Sequence, residues 1–307
     1  MRQKEKPPNN QEMSADPTFF IEQTLNALQF SMLLFLLAIG LSVVFGLMDY
    51  LNLSHGTIYM FAAYMAVTIA QAMGSFWAAL VLAPLVAALA GVLLYFLLLR
   101  HAGKQGHLAQ VLLTVGVIYM GTDLLRIAYG DLAKGVAQPA IFDSTVNILG
   151  VRYPAYRLFI IALGLAIIAL LYFGLERTRL GAYVRAGVDD RATAETLGID
   201  IGKVFAFVFA IGAWLAGVGG VVAAPIFGVY PGMDVSIIIL VLIVVVVGGL
   251  GSLKGAILGS LLIGFADTFG KILLPQFAMM MIYLVMALVL VFRPSGLMPA
   301  RRFSGAG

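Results

Sequence analysis

His55, His101 and His107 are the chain's three histidines, and none has a partner at metal-binding or catalytic spacing. A zinc-protease helix needs His-Glu-x-x-His, which places two imidazoles on one face with a base between them; that pattern is absent. With no cysteine in the chain, disulfides, thiolate metal sites and cysteine nucleophiles are excluded. The run Gly248 to Gly255 is rich in glycine and contains Lys254, but Leu253 precedes that lysine and Gly255 follows it. A phosphate-cradling loop needs glycine before the lysine and a hydroxyl after it. ATP hydrolysis therefore has no site on this chain. No catalytic constellation, cofactor site or metal site is legible, and the chain reads as something other than an enzyme.

What remains is chemistry of position. Asp123 and Arg126 stand three apart, and Asp267 and Lys271 four apart, spacings that bring helical side chains together. Near a lipid interface the long basic chains can also snorkel, so ion pairing at the membrane boundary is the expected role. No acid is read as stranded at mid-membrane, which counts against a proton- or sodium-driven carrier. His55 differs because it lies with Asn52, Ser54 and Gly56 in a polar break, 46–56, between two apolar runs. Such side chains either cap broken helix ends or line a route, and the two roles are compatible. A break at membrane depth is tolerated only inside protein or beside a water-filled cavity. Gly248, Gly249 and Gly251 form a second interruption, and short, glycine-broken segments mark binding or gating regions in transporters. All seven are candidates for a translocation pathway or gate.

The elements that must position these residues follow from composition. The chain has 307 residues, 62% of them hydrophobic and only 11% charged, against about 25% charged in a soluble domain. It is an integral membrane protein, expected to be all-α. Residues 1–23 read as a polar tail, 24–295 as one transmembrane domain and 296–307 as a second tail. Residues 50–99 hold no Asp, Glu, Lys or Arg, which is room for two crossings at about 20 residues each, with Ala72-Met73-Gly74-Ser75 as the turn. With 24–48 and further charge-poor runs near 108–129, 157–175, 204–228, 235–249, 255–270 and 275–292, nine spans are expected. The number is eight if one of the short pair 235–249 and 255–270 does not cross. The net charge of +4 belongs to short loops beside these spans, not to a nucleic-acid surface, which would need a basic face laced with aromatics. Placing loop 100–107 inside collects 11 of the 19 Lys and Arg on that side, which sets the C-terminus inside and the N-terminus outside.

The loop 176–203 is the most hydrophilic stretch after the N-terminal tail. Asp189 or Asp190 suits a helix start and Gly198 the left-handed residue past its end. Between them lies a short helix with Ala194, Leu197 and Ile199 as apolar points. A helix this short is marginal alone in water, so it must dock on the chain's own bundle or in a cleft of a partner. The small residues Gly212, Ala213, Ala216, Gly217, Gly219 and Gly220, and the repeat Gly251, Gly255, Gly259, are read as packing faces.

Taken in order, Gly40-Leu41-Ser42-Val43-Val44-Phe45-Gly46, Asn52-Leu53-Ser54-His55-Gly56, Leu197-Gly198-Ile199, Ala206-Phe207 and Val247-Gly248-Gly249-Leu250-Gly251-Ser252 resemble the branched-chain amino acid ABC transporter permeases of the LivH type. The resemblance covers about residues 24–295. It implies a type II ABC importer permease of eight or nine helices with broken or re-entrant segments, in a bacterial inner membrane. It also implies a second, LivM-like permease, two ATP-binding cassette ATPase subunits and a periplasmic substrate-binding protein as partners. The inner loop would then be the coupling helix seated in the ATPase, with Arg185, Asp189, Asp190, Glu195, Leu197 and Gly198 at the contact. The general importer signature begins with an acid; here Ala192-Thr193-Ala194 precede Gly198 at that spacing, so its first position has diverged. Branched-chain amino acids, other amino acids, urea and short amides are the cargoes such a permease implies, and a stand-alone carrier or channel is the competing class.

Overall fold

A computed structural model describes residues 17–299, apart from 49, 51, 103–105, 177, 179–180 and 183–190. Among the described residues, seven helices are long and apolar enough to cross a membrane, and two shorter apolar helices accompany them. In chain order these elements are α1 (Pro17–Met48), α2 (His55–Met73), α3 (Phe76–Leu94, carried on by a wide turn Tyr95–Leu99) and α4 (His107–Tyr129). A hairpin of β1 (Thr145–Ile148) and β2 (Val151–Pro154) leads into α5 (Ala155–Glu176). The short α6 (Arg191–Thr196) precedes α7 (Ile201–Phe227), α8 (Met233–Gly248), α9 (Leu253–Leu273) and α10 (Ala278–Phe292).

Each of the nine apolar runs is a helix, but the short pair is different from the one expected. The run 255–270 extends to the 21 residues of α9, while α8 has 16 residues and α10 has 15. Lys254 and Lys271 made the α9 run look shorter than it is. Likewise α1 starts at Pro17, so that the last seven residues of the expected tail belong to its first turns. There Asn26 Oδ1 accepts from Arg157 Nη1 at 2.6 Å and from Tyr153 Oη at 3.2 Å, tying α1 to the hairpin. The expected turn at 72–75 forms as read: Gly74 is left-handed and the Ser75 side chain caps α3 by accepting from the Ala78 N–H.

The core is built around α1, 89% of whose span is buried. It packs against α5, α7, α8 and α9. In lipid no hydrophobic force pulls helices together, so close backbone approach and dispersion must hold them. α7 supplies that approach on three sides. A Cβ at Gly212 would lie 2.8 Å from Val44 of α1, one at Gly217 would lie 2.7 Å from Pro84 of α3, and one at Gly220 would lie 2.5 Å from the Tyr59 carbonyl oxygen of α2. Gly255 and Gly259 do the same for α9 against α8. Gly251, read as part of that repeat, lies instead in the turn before α9, against Gly46 of α1. Both expected ion pairs form, Arg126 with Asp123 at 3.1 Å and Lys271 with Asp267 at 2.5 Å.

Gly220→Ala is expected to destabilise the isolated chain in detergent by about 1–3 kcal/mol, because its methyl meets backbone that cannot rotate away. Gly174→Ala, where a Cβ has open space, is expected to be neutral or stabilising. Melting curves of the two variants side by side check this; equal losses would contradict it.

Candidate functional site

His55 opens α2, yet it does not sit level with the end of α1. Its Nε2–H donates to the Leu37 carbonyl at 3.1 Å, and a Cβ on Gly40 would lie 2.9 Å from its ring. Leu37 and Gly40 precede Met48 by eleven and eight residues, roughly 12–16 Å along a helix. Between Met48 and His55 the chain therefore turns back into the bundle, and α2 starts inside it. Leu37, in mid-helix, lends its carbonyl a second donor; the imidazole thereby fixes where the new helix begins.

The rest of the break serves the same end. Ser54 Oγ donates to Asn52 Oδ1 at 2.6 Å, and Asn52, Ser54 and His55 are each no more than 1% exposed. Gly56 lets α2 rest on α8, since a Cβ there would lie 2.6 Å from the Asp234 carbonyl oxygen. These four predicted residues are thus brought together, enclosed by this chain's own helices.

The second interruption lies beside the start of the first. Gly46 touches Gly251, whose Cα would be 2.5 Å from a Cβ on Gly46. Gly248 abuts Gly255, and Gly249, at φ +107°, lies against Pro299. The segment after α10 folds onto this turn, with Leu297 N–H donating to the Val247 carbonyl and Met298 N–H to the Gly248 carbonyl, both at 2.9 Å. These are carbonyls that a helix end leaves without partners. So Gly248 and Gly249 form a cradle for the C-terminal segment, and Gly251 one for α1; this seat was not foreseen.

Asp234 is the residue that sequence reasoning missed. It falls between the runs 204–228 and 235–249 and is not singled out there, and no acid is read at mid-membrane. α8 in fact starts at Met233, after Gly232 in the left-handed region, and its first turn lies against the first turn of α2. Asp234 is 1% exposed; its Oδ2 accepts from Thr57 Oγ1 of α2 at 3.2 Å and from Thr122 Oγ1 of α4 at 3.1 Å. Its Oδ1 has no hydrogen-bond partner among the described residues. The signal available in the sequence was a lone acid just after a glycine at the head of an apolar run.

In the loop 176–203, Arg185, Asp189 and Asp190 lie outside the described residues. α6 is present, and Gly198 at φ +84° ends it. The Ile199 N–H reaches back to the Ala194 carbonyl at 3.0 Å, the closing bond of a glycine-terminated helix. Ala194 is buried against the bundle, whereas Leu197 is 76% exposed and Glu195 is on the surface beside it. Asp200 caps α7 by accepting from the Lys203 N–H, and the Lys203 hydrogen bonds hold its carboxyl below the usual carboxylate range.

This arrangement contains helix starts buried in a multi-pass bundle, an interior carboxylate and an exposed apolar point on a short loop helix. Such an arrangement suits passage through a bundle. Known proteins agree. Residues 23–290 match the family described as "Branched-chain amino acid transport system / permease component". The chain is 28% identical to the high-affinity branched-chain amino acid transport system permease protein BraD of Pseudomonas aeruginosa, over 91% of this chain and 95% of that one. To LivH of Salmonella typhimurium it is 26% identical, over 93% of this chain and 97% of the relative. To LivM of the same organism it is 31% identical, over 89% of this chain and 69% of the relative. The chain belongs to the family of branched-chain amino acid transport system permease components.

Proposed function

We propose that this chain is the membrane-spanning subunit of an ATP-driven importer for branched-chain or related small amino acids. The family match across residues 23–290 carries the reading. The likeness to both LivH and LivM relatives supports work as one of a permease pair. Two ATP-binding cassette subunits and a periplasmic binding protein would complete the assembly in a bacterial inner membrane. The permease would alternate between outward and inward access as the ATPases close and release.

Coupling is assigned to the 176–203 loop, with Arg185, Asp189, Asp190, Glu195, Leu197 and Gly198 at the contact. What supports it is the split character of α6: Ala194 anchors it to the bundle while Leu197 stays exposed. An apolar side chain held out at a loop is suited to a cleft in another protein. Asn52, Ser54, His55 and Gly56 are assigned to the gate from behind, by fixing the start of α2. Gly248, Gly249 and Gly251 do the same for the inner end of α8.

One observation favours a stand-alone carrier: Asp234 is an interior acid, and such residues mark ion relays in membrane carriers. The two readings separate cleanly. The purified chain alone in liposomes is expected to give no leucine uptake, whereas the full assembly with ATP and binding protein takes leucine up; uptake by the chain alone would favour the carrier. In the full assembly, Leu197→Asp is expected to lower ATP-driven uptake tenfold or more with the chain still inserted. Uptake within twofold of wild type would remove α6 from the coupling contact. His55→Ala is expected to cost about 1–3 kcal/mol of stability, since it strips a buried hydrogen bond, and to reduce uptake at saturating leucine. Unchanged melting and uptake together would remove His55 from the gate.

A further inference from the structure

Two charges of opposite sense meet at Asp234. The carboxylate is one. The other is the paired starts of α2 and α8, where the His55 and Met233 N–H groups are bonded to the Asn52 and Tyr230 carbonyls and the aligned peptide dipoles make each helix start electropositive. Half-helix starts inside a transporter bundle are suited to an anionic group of the cargo. The carboxylate beside them is suited to a cation. Its Oδ2 is occupied by Thr57 and Thr122, while Oδ1, buried with it, has no partner among the described residues. Unlike Asp267, which pairs with Lys271, Asp234 has no ion-pair partner among the described residues. A free metal cation is poorly served here, because both hydroxyls already point their protons at the carboxylate and the two helix starts repel it. A zwitterion, with a carboxylate and an ammonium on one carbon, matches both charges at once.

The site is closed in this structure, and its removable wall is α4. Among the seven long spans α4 is the least buried, 22% against 89% for α1. It meets the site through Thr122 and through Gly121, which lies against Thr57. Among the described residues α4 packs against α2 and α8 and has no substantial contact with α1 or α7, so its displacement would leave the α1–α7 core in place.

We propose that Asp234, with Thr57 and Thr122, is an occluded site for the ammonium group of an amino-acid head, whose carboxylate faces the starts of α2 and α8. The inference rests on the importer reading and names the atoms that would receive its cargo.

The test uses the full assembly in proteoliposomes with ATP and radiolabelled leucine. Asp234→Asn keeps the side chain's shape and an oxygen for the two threonines. It is expected to lower uptake at least tenfold while the complex still assembles. Because the chain has no cysteine, Thr122→Cys supplies a single thiol at the site. An aminoethyl methanethiosulfonate should label it during turnover several-fold faster than the sulfonatoethyl reagent. Leucine should slow that labelling, and adding Asp234→Asn should abolish the preference. If Asp234→Asn does not assemble, the labelling of Thr122→Cys alone decides. Equal labelling by the two reagents, or uptake by Asp234→Asn within twofold of wild type, overturns the site. So does uptake that fails when sodium is replaced by choline while leucine gives no protection, which would make it an ion site. Absence of leucine uptake by the wild-type assembly sinks the importer reading itself.

Discussion

The hydrogen bond from His55 to the Leu37 carbonyl, 3.1 Å long and fully buried, is where the architecture departs from a simple stack of spans. A helix in lipid satisfies its own backbone, so the cheapest chain would cross and turn only at the surfaces. Here α2 begins beside the middle of α1, and its first N–H groups must be satisfied inside protein. The burial of α1 follows from this. A central helix walled on all sides is the only place against which another helix can start without exposing polar backbone to lipid.

The same constraint explains α8. Its start needs shelter as much as that of α2, and each shelters the other: Gly56 admits the Asp234 carbonyl, while Asp234 receives Thr57 and Thr122. A carboxylate at mid-bundle costs desolvation energy, which two hydroxyl donors and two helix starts offset. Oδ1 lies outside these contacts, and polar atoms so enclosed are uncommon in folded proteins. A position that is costly to bury is thus also the one to which the cargo's ammonium group is assigned under our proposal.

Much of the bundle was legible because long charge-poor runs report helices that lie in the membrane, and nine runs became nine helices. Glycines 212, 217 and 220 were legible as packing because small residues at helical spacing have few other uses in lipid. Depth was not legible. A run of apolar residues gives a length and says nothing of the level at which it starts. So His55 could be placed in a break but not beside Leu37, and Asp234, just outside the run 235–249, drew no notice. Nor could the sequence show that Gly248 and Gly249 hold residues 296–299, because that contact joins segments some fifty residues apart through backbone atoms, which carry no side-chain signature.

That last contact changes how the two glycine-rich interruptions relate. Pro299 lies on Gly249, Met298 bonds to Gly248, Gly251 lies on Gly46, and Gly46 lies in the last turn of the helix whose Leu37 carbonyl holds His55. From the C-terminal segment to the last turn of α1, this series is mostly backbone against backbone. Side chains can absorb a small displacement by changing rotamer, but touching peptide planes cannot, and close-packed interiors pass strain on. A shift of the 249–252 turn must therefore move the end of α1 or break the Gly46–Gly251 contact. Either outcome alters the segment leading to His55. The two interruptions are thus joined by one continuous series of contacts, with glycine at Gly46, Gly248, Gly249 and Gly251 where backbone meets backbone.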